Sequence, residues 1–259
     1  MTASANDNAP HEPEENLNTK AALPSVFDIL LYSATLTKRH ASDVYGFTAY
    51  LLFPLILYFG VQGVPGAFGL SAQSVVSVVS IALSCWAAAA ISTLVSLKSA
   101  HPKKEHDPRS IGAHAASILG TLLLAALLSG IIQAAGYFLF IVPGIIATIL
   151  FTFTLEEVVL RGHGPISALA ASKDRVQHQM FAIGWRLFAI VFTFLALYSV
   201  IGAGIVFLGS LATGIDPATF AVQTPLWADA LLKILEIALL PPVIIAHTVL
   251  YLSTSPTVE

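Results

Sequence analysis

The chain has 259 residues, 56% of them hydrophobic and only 10% charged, with a mean hydropathy of +0.80 and a formal net charge of -3. Soluble domains carry about 25% charged residues, so the composition excludes an ordinary soluble enzyme and predicts an integral membrane protein whose main partner is the lipid bilayer. No nucleic-acid partner is implied, and a single cysteine, Cys85 beside Trp86 in an apolar run, excludes an intrachain disulfide.

Residues 1–23 are polar and rich in Asn, Pro and Glu, and read as a disordered tail. They lack the basic start and apolar core of a secretory signal. One membrane domain, 24–255, follows. Ser25 and Asp28 have the spacing of a capping box and predict a helix over 25–39. Its apolar residues Val26, Phe27, Leu30 and Leu31 crowd one side, with Ser33, Thr37 and Lys38 away from them, as in a helix lying at the membrane interface or one that simply leads into the first span.

Six apolar stretches predict an all-α, polytopic bundle with spans at about 44–62, 75–97, 118–141, 145–160, 181–208 and 226–252, a span needing ~20 residues. Pro54 should kink the first. The run WAAAA in the second would admit a close neighbour. Residues 111–160 are almost continuously apolar; a straight helix of that length would reach ~75 Å, against a hydrocarbon core of ~30 Å. The chain must fold back there, and Pro143-Gly144 is the predicted turn. Gly164-Pro165 then opens a short amphipathic helix over 165–178, with Ile166, Leu169 and Ala170 toward lipid and Lys173 and Arg175 toward water. Trp185 and Arg186 should anchor one end of the fifth span, Gly202 and Gly204 permit close packing, and Pro241-Pro242 predicts a kink in the last.

Charge placement supports this threading. With cytoplasmic N- and C-termini, eleven of the twelve basic residues fall on the cytoplasmic side and Lys233 is the exception. The loops at 63–74, 142–144 and 209–224 carry no Lys or Arg. That asymmetry is the positive-inside rule.

The run IVPGIIATILFTFTLEEVVLRGHGPISALAASKDRV resembles the hallmark of a bacterial group of six-span inner-membrane proteins of uncharacterised role. The group includes the YciC-like proteins and the membrane domain attached to some glycerophosphoryl diester phosphodiesterases. The resemblance rests on Pro143, Gly144, Ile145, Gly164, Pro165, Ala168, Leu169 and Ser172, with weaker similarity in SVFDILLYSATL and LLPPVIIAHTVLY. It implies a six-span bundle in the bacterial inner membrane. The phosphodiesterase activity of fused relatives belongs to a soluble domain that these residues do not contain. Arg161 stands where an acidic residue is common in the group, and Glu156-Glu157 where apolar residues or proline are.

Polar residues at membrane depth are costly and often functional. Asp229, Lys233 and Glu236 share one face of the last helix and read as a self-neutralising ladder or as the lining of a polar pathway. Glu156 and Glu157 could serve as acid and base, but neighbours on a helix point about 100° apart; the favoured reading is a surface pair of Glu157 with Arg161. His247 reads as hydrogen-bonded within the bundle. His101, Glu105, His106, Asp107 and His114 match no strong zinc spacing. Gly112, Ala116 and Gly120 form a small-residue stripe suited to packing. No catalytic, cofactor or metal site is predicted, and the oligomeric state is open. The reading is a non-enzymatic membrane protein that supports membrane or envelope organisation through a bound phospholipid or a membrane-protein partner. The alternatives are a transporter or permease-like subunit and an intramembrane enzyme.

Overall fold

The computed structural model describes residues 23–61, 66–101, 104 and 106–254, and the predicted tail, Gln62, Lys103 and Glu105 lie outside them. The described residues form twelve helices: α1 Val26–Arg39, α2 Ala41–Ala49, α3 Leu52–Val61, α4 Gly66–Ala100, α5 Pro108–Ser117, α6 Leu119–Leu139, α7 Ile141–Leu150, α8 Thr154–Arg161, α9 Pro165–Gln177, α10 Met180–Thr213, α11 Pro217–Val222 and α12 Leu226–Ser253. Six segments are long and apolar enough to cross a membrane: α2 with α3, α4, α6, α7 with α8, α10 and α12. The protein is an all-α, multi-pass membrane bundle. α12 packs on α1, α2, α4 and α10, and α4 in turn carries α3, α5 and α8.

Burial is concentrated at one end. Ala87, Ala89, Ala90, Ile91, Leu94 and Val95 of α4, Val158 and Val159 of α8, and Ile245, Ala246, Val249 and Leu250 of α12 are all buried. The opposite ends of these spans, with most of α6 and α10, turn large apolar side chains outward. Lipid tails are as apolar as leucine, so association rests on small residues and interhelical hydrogen bonds. The alanine run of α4 supplies the first; the 2.9 Å bond between the Ser92 and Thr248 hydroxyls supplies the second.

Several local expectations hold. Ser25 and Asp28 form the capping box, the Ser25 Oγ accepting from the Asp28 N–H at 3.2 Å. Pro54 interrupts the first span, which breaks at Tyr50–Leu51, where a helix would need the N–H that proline lacks. α12 runs unbroken through Pro241 and Pro242. Pro242 cannot donate to the Ala238 carbonyl, which instead accepts the Tyr45 hydroxyl at 3.3 Å.

Others are corrected. On α1, Ser33 and Thr37, expected away from the apolar side, are buried against the bundle with Ile29 and Leu36, while Phe27 (72% exposed) and Leu31 point out and Val26 and Leu30 pack partly on the core. Ser33 and Thr37 donate to their own helix's carbonyls, Leu30 and Ser33, so burying them strands no polar group. On α9, Leu169 is buried rather than facing lipid, and Arg175 turns inward; Ile166, Ala170 and Lys173 are exposed as predicted. In the small-residue stripe only Gly112 makes a close contact, to Trp86, whereas a Cβ on Gly120 would meet nothing and Ala116 is exposed. Gly202 faces Leu232 of α12, and a Cβ on Gly204 would meet nothing.

The chain reversal falls one turn earlier than predicted. Phe140 is the extended residue, at φ -165° and ψ 159°, between α6 and α7. Pro143 and Gly144 lie inside the first turn of α7, where a missing N–H leaves no helix bond unmade. The fourth span therefore begins at Ile141, not 145. Gly144 is required by contact: a Cβ there would sit inside the Tyr137 ring, and one on Gly136 would lie 3.0 Å from the Gly144 Cα. Gly144→Ala should therefore destabilise the hairpin by ~1–3 kcal/mol, read as a lower melting temperature in detergent. Tyr137→Ala in the same chain should make the two losses less than additive; strict additivity would remove this contact as the cause.

Candidate functional site

The fourth span is interrupted again between α7 and α8, at Phe151–Phe153. The Phe153 N–H donates to the Ser172 Oγ at 3.2 Å, and that hydroxyl donates to the Leu150 carbonyl at 2.8 Å. Ser172, fully buried on α9, thus satisfies both sides of the break. Gly164 is the N-cap of α9 and Pro165 its first residue, so α9 is set directly after the turn that ends α8. That turn is a left-handed glycine cap: Gly162, at φ 69°, donates to the Val158 carbonyl at 3.1 Å, the single bond of the αL motif, and the His163 N–H adds a bond to the Glu157 carbonyl at 3.2 Å.

This frame aims Glu156 and Glu157 into the bundle. They are 6% and 1% exposed, which corrects the surface-pair expectation. Glu157 Oε1 accepts from Arg175 Nε at 2.7 Å and from the Tyr251 hydroxyl at 3.2 Å. Arg175 also lies over the Tyr251 ring, 4.4 Å from its centroid, and donates to its hydroxyl at 3.3 Å. His163 Nδ1 is 3.1 Å from Glu157 Oε2, at ion-pair distance but not aligned as a hydrogen bond. Arg161 makes no ion pair with Glu157 among the described residues and is exposed at the end of α8. The guanidinium that meets the carboxylate comes from the neighbouring helix because Glu157 faces α9 and α12, whereas Arg161, at the exposed end of α8, reaches the network at Tyr251.

Glu156 takes a different partner. Its Oε1 is 2.6 Å from His247 Nδ1, and His247 Nε2 is 3.1 Å from the Thr152 hydroxyl. The ring also packs on Phe153, with centroids 5.3 Å apart. Glu156 Oε2 is out of solvent contact and has no hydrogen-bond partner. The two adjacent carboxylates therefore diverge, one into a carboxylate–guanidinium–phenol network and one into a carboxylate–imidazole pair that can share a proton.

Lys233 and Glu236 stand apart from this cluster. They pair at 3.0 Å, are half exposed, and line a recess of about 280 Å³ with Tyr58, Ser77 and Ser80. Asp229 makes no ion pair with Lys233 among the described residues, so the predicted ladder has one rung. No group of three His, Cys, Asp or Glu side chains among the described residues could hold a metal ion.

The sequence did not single out Thr152, Tyr251 or the inward role of Arg175. A signal for the last was present: Ala168, Ser172 and Val176 repeat at helical spacing as the buried face of α9, and Arg175 borders it. Arg186 was expected as an anchor; it donates to the Leu23 and Pro24 carbonyls at 3.0 and 2.8 Å, tying the start of α1 to α10. No family model matches the chain, and neither a curated protein nor a solved structure does.

Proposed function

We propose that the protein is a non-enzymatic, lipid-binding organiser of the bacterial inner membrane, of the YciC-like type, with both termini cytoplasmic. The observation that carries this reading is a groove of about 460 Å³ between α1, α2, α10 and α12. Leu30, Phe194, Leu197, Leu239 and Pro242 give it apolar walls, and Lys38 is its one charged lining residue. An acyl chain matches such walls and an anionic headgroup matches the lysine. The residues that carry the resemblance have structural roles: Gly144 closes the hairpin, Gly164 and Pro165 start α9, and Ser172 bridges the span break.

The test is native mass spectrometry of the full chain released from membranes in mild detergent. Phospholipid should remain bound, and Lys38→Glu should lower the anionic share; a lipid-free bundle would overturn the reading. A reporter fused after Thr254 that works only in the cytoplasm checks the orientation.

A transporter is the second reading, favoured by the interruption of the fourth span beside Glu156 and His247, since broken helices commonly frame transport sites. Weighing against it, the broken first and fourth spans both pack on α4, and the break at 151–153 has its backbone satisfied by Ser172.

A further inference from the structure

We propose that the pocket where α2, α4 and α5 meet binds the zwitterionic phosphoethanolamine headgroup of a membrane phospholipid, with Asp43 and an aromatic corner receiving the ammonium and Arg109 the phosphate. The assignment rests on the lipid-binding reading and concerns a different place from the Lys38 groove.

The pocket, about 450 Å³, is lined by Asp43, Phe47, Tyr50, Trp86, Arg109 and Gly112 among others. Three features set its chemistry. Opposite charges line one recess without forming an ion pair with each other among the described residues, leaving an anion and a cation available at separate points. Burial, and then Lys98, hold His40 below the ordinary imidazole range, so no charged imidazole competes for Asp43 at neutral pH.

The second feature is the aromatic corner. Trp86 donates its indole N–H to the Gly112 carbonyl at 2.9 Å, which fixes the ring plane. Phe47 and Tyr50 stand edge-on to it, with centroids at 5.8 and 5.2 Å and interplanar angles of 77° and 88°. Gly112 leaves room for the indole; a Cβ would come within 3.3 Å of it. Aromatic faces beside a carboxylate attract a compact ammonium, and a guanidinium matches phosphate oxygens.

The third feature selects a lipid over a soluble zwitterion. Beyond Tyr50 the outer side of α3 exposes Leu52, Phe53 and Ile56, an apolar flank leading away from the pocket on which acyl chains would lie.

The full chain, reconstituted in nanodiscs of equal parts ethanolamine, glycerol and cardiolipin phospholipids, is analysed by native mass spectrometry. The ethanolamine lipid should be enriched on the protein. Asp43→Asn and Arg109→Gln should each reduce that enrichment about tenfold, as expected for a lost charge-assisted contact, with no change in melting temperature and none for Lys38→Gln. Lipid retained without headgroup preference, or preference unmoved by both variants, would overturn this site and leave the general lipid-binding reading standing. No retained lipid of any class would overturn both. Displacement by free phosphoethanolamine would overturn the membrane source of the ligand.

Discussion

Arg175→Met is expected to lower the stability of the bundle by ~3–5 kcal/mol, the cost of leaving a buried carboxylate without its counter-charge. Glu157 is almost wholly inaccessible, and Arg175 supplies both its shortest hydrogen bond and its nearest full positive charge. The variant keeps the volume of the side chain's stem, so the loss reports charge and hydrogen bonding rather than a cavity. Arg175→Lys should recover only part of it, because a lysine has neither the fork that meets Glu157 and Tyr251 together nor the plane that lies over the Tyr251 ring. Thermal unfolding in detergent of the single variants, with Glu157→Gln and the double variant Glu157→Gln/Arg175→Met, checks this. The double variant should be more stable than Arg175→Met alone. If Arg175→Met unfolds with the wild type, the network contributes no net stability.

The features legible in the sequence and those hidden from it divide along a physical line. Span number follows from apolar run length against bilayer thickness, and the fold-back near residue 140 follows because fifty apolar residues cannot cross once. The capping box at Ser25 is local, so spacing suffices to find it. What fails is the placing of polar residues away from the contact. In α1, apolar Phe27 points out and Ser33 points in, because the surroundings are apolar on both sides and the contact favours small residues that satisfy themselves. The partner of Glu157 differs from the expected one for a related reason. Arg161 is the nearest cation along the helix, but a carboxylate directed into the bundle can be met only by a cation from an element packed against that face, and Arg175 lies eighteen residues away. The hairpin lies earlier than a chain-breaking proline predicts, because within the first turn of a helix proline breaks nothing.

The Glu156–His247 pair provides the sharpest division between a structural and a transporting protein. As a structural pair, it should behave as one unit: Glu156→Leu or His247→Leu alone strands a buried polar partner and should cost ~3–5 kcal/mol, whereas the double variant, with an apolar pair in the same space, should return close to wild-type stability. The orphaned Oε2 of Glu156 strengthens this expectation, since the wild-type pair already carries an unsatisfied buried oxygen that the double variant removes. The lost bond from His247 to Thr152 works in the other direction but is a single neutral contact, worth ~0.5–1.5 kcal/mol. Unfolding in detergent measures the cycle, and cells carrying the double variant as the only copy should grow as well as those with the wild type. A double variant that is fully stable yet fails to support growth would mean that the carboxylate and imidazole are needed for their proton or charge and not for their packing. That result would move the protein from membrane organiser to transporter, with the break at 151–153 as the element the pair controls.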